Sequence, residues 1–145
     1  MFRKLLSRIF RVFSEEDEVP ASLSKTEVIT RYLFQSNHVS SSRGEVKPRA
    51  FYPERVPGTT DLETSTFRTI GLAEEQIWSI GDQIRNKKTF ARGDLRVSDV
   101  KEPLFVQPET SSHKLHAVIR GWPDTKDEWM SVAIELAQEA SLKIR

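Results

Sequence analysis

The chain has no cysteine, which excludes disulfides, thiolate metal ligands and every mechanism that runs through a cysteine nucleophile or a thioester. It also lacks an excess of charge: 22 Lys and Arg against 21 Asp and Glu leave a formal +1 over 145 residues. Without a global field, any binding of nucleic acid needs a local patch. No apolar run approaches the roughly 20 residues that a bilayer crossing takes. No secretory leader pattern follows the basic start either, so the expected location is cytoplasmic. The sequence carries no phosphate-binding glycine loop, no dinucleotide fingerprint, no G-x-S-x-G elbow and no zinc-finger spacing. No cofactor and no metal are therefore expected.

What is present is the make-up of one globular domain, with 37% hydrophobic and 30% charged residues, long enough to bury a core of its own. Phe2, Leu5, Leu6, Ile9, Phe10 and Phe13 recur at helical spacing with Arg3, Lys4, Arg8 and Arg11 among them. That pattern predicts a basic amphipathic helix able to lie on a protein partner or a membrane surface. Glu15, Glu16, Asp17 and Glu18 then precede Pro20. Residues 1–19 thus read as helix plus acidic linker, and residues 20–145 as the globular domain. A protein partner is preferred over lipid, because the acidic run cancels the positive charge beside it.

Ser24 and Glu27 stand in capping-box spacing ahead of Val28, Ile29, Tyr32 and Leu33, which predicts a helix from Lys25 to about Gln35. Residues 40–58 read as an irregular stretch around a short strand at Arg49 to Tyr52. The β-branched alternation of Thr64 to Ile70 predicts a strand, and Ala73 to Arg85 a helix. Phe90 to Val100, Leu104 to Gln107 and His113 to Arg120 predict further strands, with His116, Val118 and Arg120 on one face. The chain closes on a helix from Thr125 to about Leu142, whose buried stripe is Trp129, Val132, Ala133, Leu136 and Ala140. The fold class is α+β: a single domain with a small, mostly antiparallel sheet, packed helices and the N-terminal amphipathic helix.

Two groups of residues carry candidate chemistry. His38 and His116 form an acid and base pair on one hypothesis, with Arg68 holding a phosphate of a nucleotide or nucleic acid. The plainer assignment gives them structural roles: a helix end for His38, a half-buried sheet position for His116, an ion pair for Arg68. It is preferred, since no spacing fixes a mutual geometry. Arg43, Lys47, Arg49 and Arg55 interleave with Phe51 and Tyr52, a mixture that pairs phosphates and stacks bases. Glu45, Glu54, Asp61 and Glu63 dilute it, so nucleic acid is not the favoured partner. His113 and His116 fail as a metal pair, because residues three apart on a strand face opposite ways.

Arg31-Tyr32-Leu33-Phe34 with Ser36-Asn37-His38, Lys47-Pro48-Arg49-Ala50-Phe51, Ser65-Thr66-Phe67-Arg68, Ala91-Arg92-Gly93-Asp94 and His116-Ala117-Val118-Ile119 with Gly121-Trp122-Pro123 together resemble a family of small uncharacterised bacterial proteins. The resemblance spans most of residues 27–142. It brings no activity, cofactor or fold, but it implies that Asn37, His38, Lys47, Arg49, Arg68, Arg92 and His116 belong to one site. By analogy with small proteins of multi-gene bacterial systems such as defence operons, the expected function is that of an accessory or interaction protein docking through its N-terminal helix. A small enzyme acting on a nucleotide or nucleic-acid phosphate is the alternative.

Overall fold

The computed structural model describes residues 19–145; the helix expected over Phe2 to Phe13 and the acidic run lie outside them. Nine strands form in chain order: β1 Val28–Leu33, β2 Val39–Ser40, β3 Glu45–Val46, β4 Glu54–Arg55, β5 Leu62–Arg68, β6 Ala91–Arg96, β7 Phe105–Pro108, β8 His116–Arg120 and β9 Ser141–Ile144. Two helices interrupt them, α1 Glu74–Arg85 and α2 Lys126–Glu139. Seven strands build one antiparallel sheet in the order β7-β8-β5-β1-β6-β9, with β4 paired to β5, while β2 and β3 make a separate hairpin. The α+β expectation holds, and among the described residues no helix is long and apolar enough to cross a membrane.

The expected helix from Lys25 to Gln35 is instead the central strand β1. The Ser24 and Glu27 signal is real: the Ser24 amide donates to the Glu27 carboxylate at 2.8 Å. It closes a turn, not a first helical turn. Val28, Ile29, Tyr32 and Leu33 fit a helical stripe, but in a strand buried on both sides they divide between two cores. Ile29 and Leu33 join one, Tyr32 the other, and the β-branched Val28-Ile29-Thr30 run favours the extended chain. The short strand expected at Arg49 to Tyr52 is a 3-10 turn over Pro48–Phe51, with Ala50 and Phe51 fully buried. The last helix ends at Glu139; Ala140 is extended, and Ser141–Ile144 turns back to pair with β6 as an edge strand.

Each sheet face carries one core. On the first, Ile29, Leu33, Leu95 and Ile119 meet Ala133, Leu136 and Ala137 of α2 and Phe51 of the 3-10 turn. On the second, Tyr32, Phe67 and Leu115 meet Ile77 and Ile80 of α1. The helix contacts close tightly at Gly81, where a methyl group would stand 2.6 Å from Thr89 Oγ1 and from the Tyr32 ring. The sheet is not continuous between its middle strands. β1 and β5 register only through Ile29 with Arg68 and Thr30 with Phe67, although β1 runs on to Leu33 and β5 begins at Leu62. Beyond Thr30 the two strands part, and the gap between them opens as a cleft.

Candidate functional site

The cleft, of about 180 Å³, is walled by Arg31, Tyr32 and Phe34 of the β1 end, by Tyr52 to Pro57 around β4, by Glu63 to Ser65 and Phe67 of β5, and by Ile84 and Arg85 at the close of α1. Arg31 spans the gap. Its Nε donates to the Ala50 carbonyl at 2.9 Å and its Nη1 to the Ser65 carbonyl at 3.0 Å. Among the described residues no carboxylate lies within ion-pair distance of it. Burial pushes the Arg31 guanidinium below its ordinary value, with Glu54 opposing and Arg85 adding to the shift. Arg85 lies over the Phe34 ring at 5.3 Å, and Glu63 is held by Arg120 at 3.1 Å.

A hydrogen-bonded chain of three side chains ends at this cleft. Ser65 Oγ stands 2.7 Å from His116 Nε2. His116 Nδ1 lies 2.8 Å from the Glu109 carbonyl and 3.0 Å from the Glu109 carboxylate. Both of the latter are acceptors, so Nδ1 is the donor on that side, and in this tautomer Nε2 faces the Ser65 hydroxyl as an acceptor. The sheet produces this geometry directly. Phe67 registers with His116 and Ser65 with Val118, so Ser65 and His116 are diagonal neighbours on one face, within side-chain reach. Glu109 arrives from the β7–β8 connection, where its amide also donates to the His116 carbonyl at 3.0 Å. The imidazole is braced beneath by Phe67, ring centroids 5.1 Å apart, and Phe67 carries His113 edge-on at 5.6 Å. Hydrogen bonds from Ser111, then from His116, hold the Glu109 carboxyl below its ordinary value.

The residues singled out from sequence fall in several places. His116 is in the chain just described. His38 ends the short 3-10 turn Ser36–His38, and burial followed by the charges of Arg31, Arg49 and Arg85 lowers its pKa; neither it nor Arg49 lines the cleft. Arg55 lines the cleft itself. Arg43 sits on the exposed turn between β2 and β3 and Lys47 at the hairpin's end; neither lines it. Arg68, registered opposite Ile29, donates to Glu27 at 2.7 Å and to the carbonyls of Pro20 and Ser22. Arg92, registered opposite Tyr32, lies on the other face, paired with Glu74 and Asp94 and stacked over Trp78 at 4.5 Å.

Ser65, Glu109, Arg31 and Arg85 were not among the site residues expected from sequence, although Arg31 and Ser65 stand in the motifs quoted above. The alternation of β5 gives Ser65 and Phe67 a common face, and that of β8 does the same for His116 and Val118. Which faces coincide depends on strand pairing, which no local pattern states. Compared with protein-family models, with curated proteins and with solved structures, the chain matches none.

Proposed function

We propose that this protein binds, and acts on, a phosphate-bearing ligand of the nucleotide or oligonucleotide class in the cleft between β1 and β5. The observation that carries this reading is Arg31. Arg31 is half-buried and forms no ion pair among the described residues; burial lowers its pKa in spite of Glu54, so an anion entering the cleft would favour its charged form. Its fork is already oriented by the Ser65 and Ala50 carbonyls, the preorganisation that favours phosphate oxygens. Arg55 and Arg85 add charge to the same walls, and Phe34 and Tyr52 line them with aromatic surface, Phe34 lying beneath Arg85. The docking role expected of Phe2 to Phe13 falls outside the described residues, and nothing in residues 19–145 adds to it.

The test is fluorescence polarisation of the full chain with a short labelled single-stranded oligonucleotide. Binding at low salt should weaken steeply as salt rises, because phosphate contacts release counterions. Arg55 and Arg85 are exposed, so Arg55→Ala and Arg85→Ala should leave the melting curve in place. Each should weaken binding by about tenfold, the loss expected for a charged hydrogen bond. Binding that ignores both substitutions would remove the cleft as the site.

A further inference from the structure

We propose that Ser65 is a catalytic nucleophile, activated by His116 with Glu109 as the positioning residue, and that its substrate is a phosphodiester held by the guanidiniums of the same cleft. The inference rests on the anion-binding reading above and adds a reaction to it.

Three independent features of the structure converge on Ser65. Its hydroxyl meets the one imidazole nitrogen free to accept a proton, at 2.7 Å. That nitrogen is kept free by two acceptors on the opposite side of the ring, both supplied by Glu109. This order of hydroxyl, imidazole and carboxylate is how a weak nucleophile is made reactive, whichever fold carries it. The same serine lines the cleft, and its own carbonyl anchors Arg31 at 3.0 Å. The cleft that draws an anion is thus the one on which the nucleophile opens.

The charge in the cleft suits a phosphate anion. Arg31, Arg55 and Arg85 face Glu54 and Glu63, and Glu63 is already held by Arg120, so the walls stay positive. The phosphodiester is the group that the oligonucleotide ligand proposed above carries. Planar guanidiniums also match the equatorial oxygens of a transferring phosphoryl group, where charge accumulates.

The reaction balances without a further reactant but water. Ser65 Oγ attacks phosphorus as its proton passes to His116 Nε2. The bond from phosphorus to the leaving oxygen breaks, its electron pair stays on that oxygen, and His116 returns the proton to it. The alcohol departs, leaving Ser65 esterified to the remaining phosphate. Water then attacks phosphorus, giving its proton to His116; the Ser65 oxygen leaves and takes that proton back. Diester and water have become monoester and alcohol.

Two probes test this on the full chain. An alkyl fluorophosphonate should phosphonylate Ser65, with loss of fluoride, at a site identified by peptide mass spectrometry. Bis(4-nitrophenyl) phosphate should release 4-nitrophenolate, with an initial burst. Ser65→Ala should abolish labelling and the burst and slow release by about a hundredfold or more, the span of nucleophilic and general-base assistance. It should still bind the oligonucleotide and keep its melting curve. Glu109→Gln should lower kcat while leaving KM in place, since it alters the base and not the arginines. An unlabelled Ser65, or equal release by wild type and Ser65→Ala, overturns the nucleophile while oligonucleotide binding keeps the anion site standing. Loss of oligonucleotide binding by the wild type itself overturns both.

Discussion

Glu27 and Arg68 form an ion pair in which both side chains are almost wholly out of solvent, at 5% and 2% exposure. Such a pair adds little net stability over an apolar one, but removing a single partner strands the other charge. Arg68 also holds the Pro20 and Ser22 carbonyls, so it clasps the segment before β1 to the sheet. Glu27→Ala should therefore destabilise the protein by about 3 to 5 kcal/mol, the loss for breaking a buried pair, read by urea denaturation. His38 and His113 give a second expectation. Burial, more than neighbouring charge, lowers both below their ordinary 6.5, and His113 Nδ1 accepts the Leu115 amide at 3.0 Å, a bond that protonation there would break. The folded state takes up fewer protons than the unfolded chain just below 6.5, so stability is fully present above that pH and declines beneath it. The melting temperature should fall on acidification from about pH 7 to pH 5, and His113→Gln should flatten the slope. His116 and Arg68 stand out in the sequence by residue type, yet their partners lie 51 and 41 positions away, and no local pattern reaches so far.

At the level of elements, α1, β5 and β8 follow from periodicity, because each has one buried face or a β-branched run that admits a single period. β1 does not. A central strand flanked on both sides loses the alternation that marks an edge, and the capping-box residues Ser24 and Glu27 served a turn instead. β9 was hidden for a related reason: Ala140 continues the helical stripe of α2 in sequence, while Leu142 packs on the same core as part of a strand. Gly81 shows how closely α1 is seated. Replacing an interior helical glycine by alanine ordinarily stabilises by about 1 kcal/mol. Here the added methyl would meet Thr89 Oγ1 and the Tyr32 ring at 2.6 Å, and Tyr32 is fixed by its hydrogen bond to the Ile77 carbonyl. Gly81→Ala should thus lower stability by about 1 to 3 kcal/mol, as overpacking does, in thermal or chemical unfolding.

On the scale of the whole molecule, the α+β class was legible because element order set it. The cleft was not, since it arises where two paired strands separate, and separation leaves no mark in hydropathy. The strand order β7-β8-β5-β1-β6-β9 has a further consequence for the chain as it is made. The partners of β1, β5 and β6, leave the ribosome about 30 and 60 residues after it, and the helix that covers Ile29 and Leu33 follows about 100 residues after it. Until then a flat apolar face has nothing to bury it, and chains grow at only about 5 to 20 residues per second. Nascent chains arrested before Lys126 should therefore be captured by chaperones or aggregate, whereas release of the C-terminal segment lets the first core close in one step.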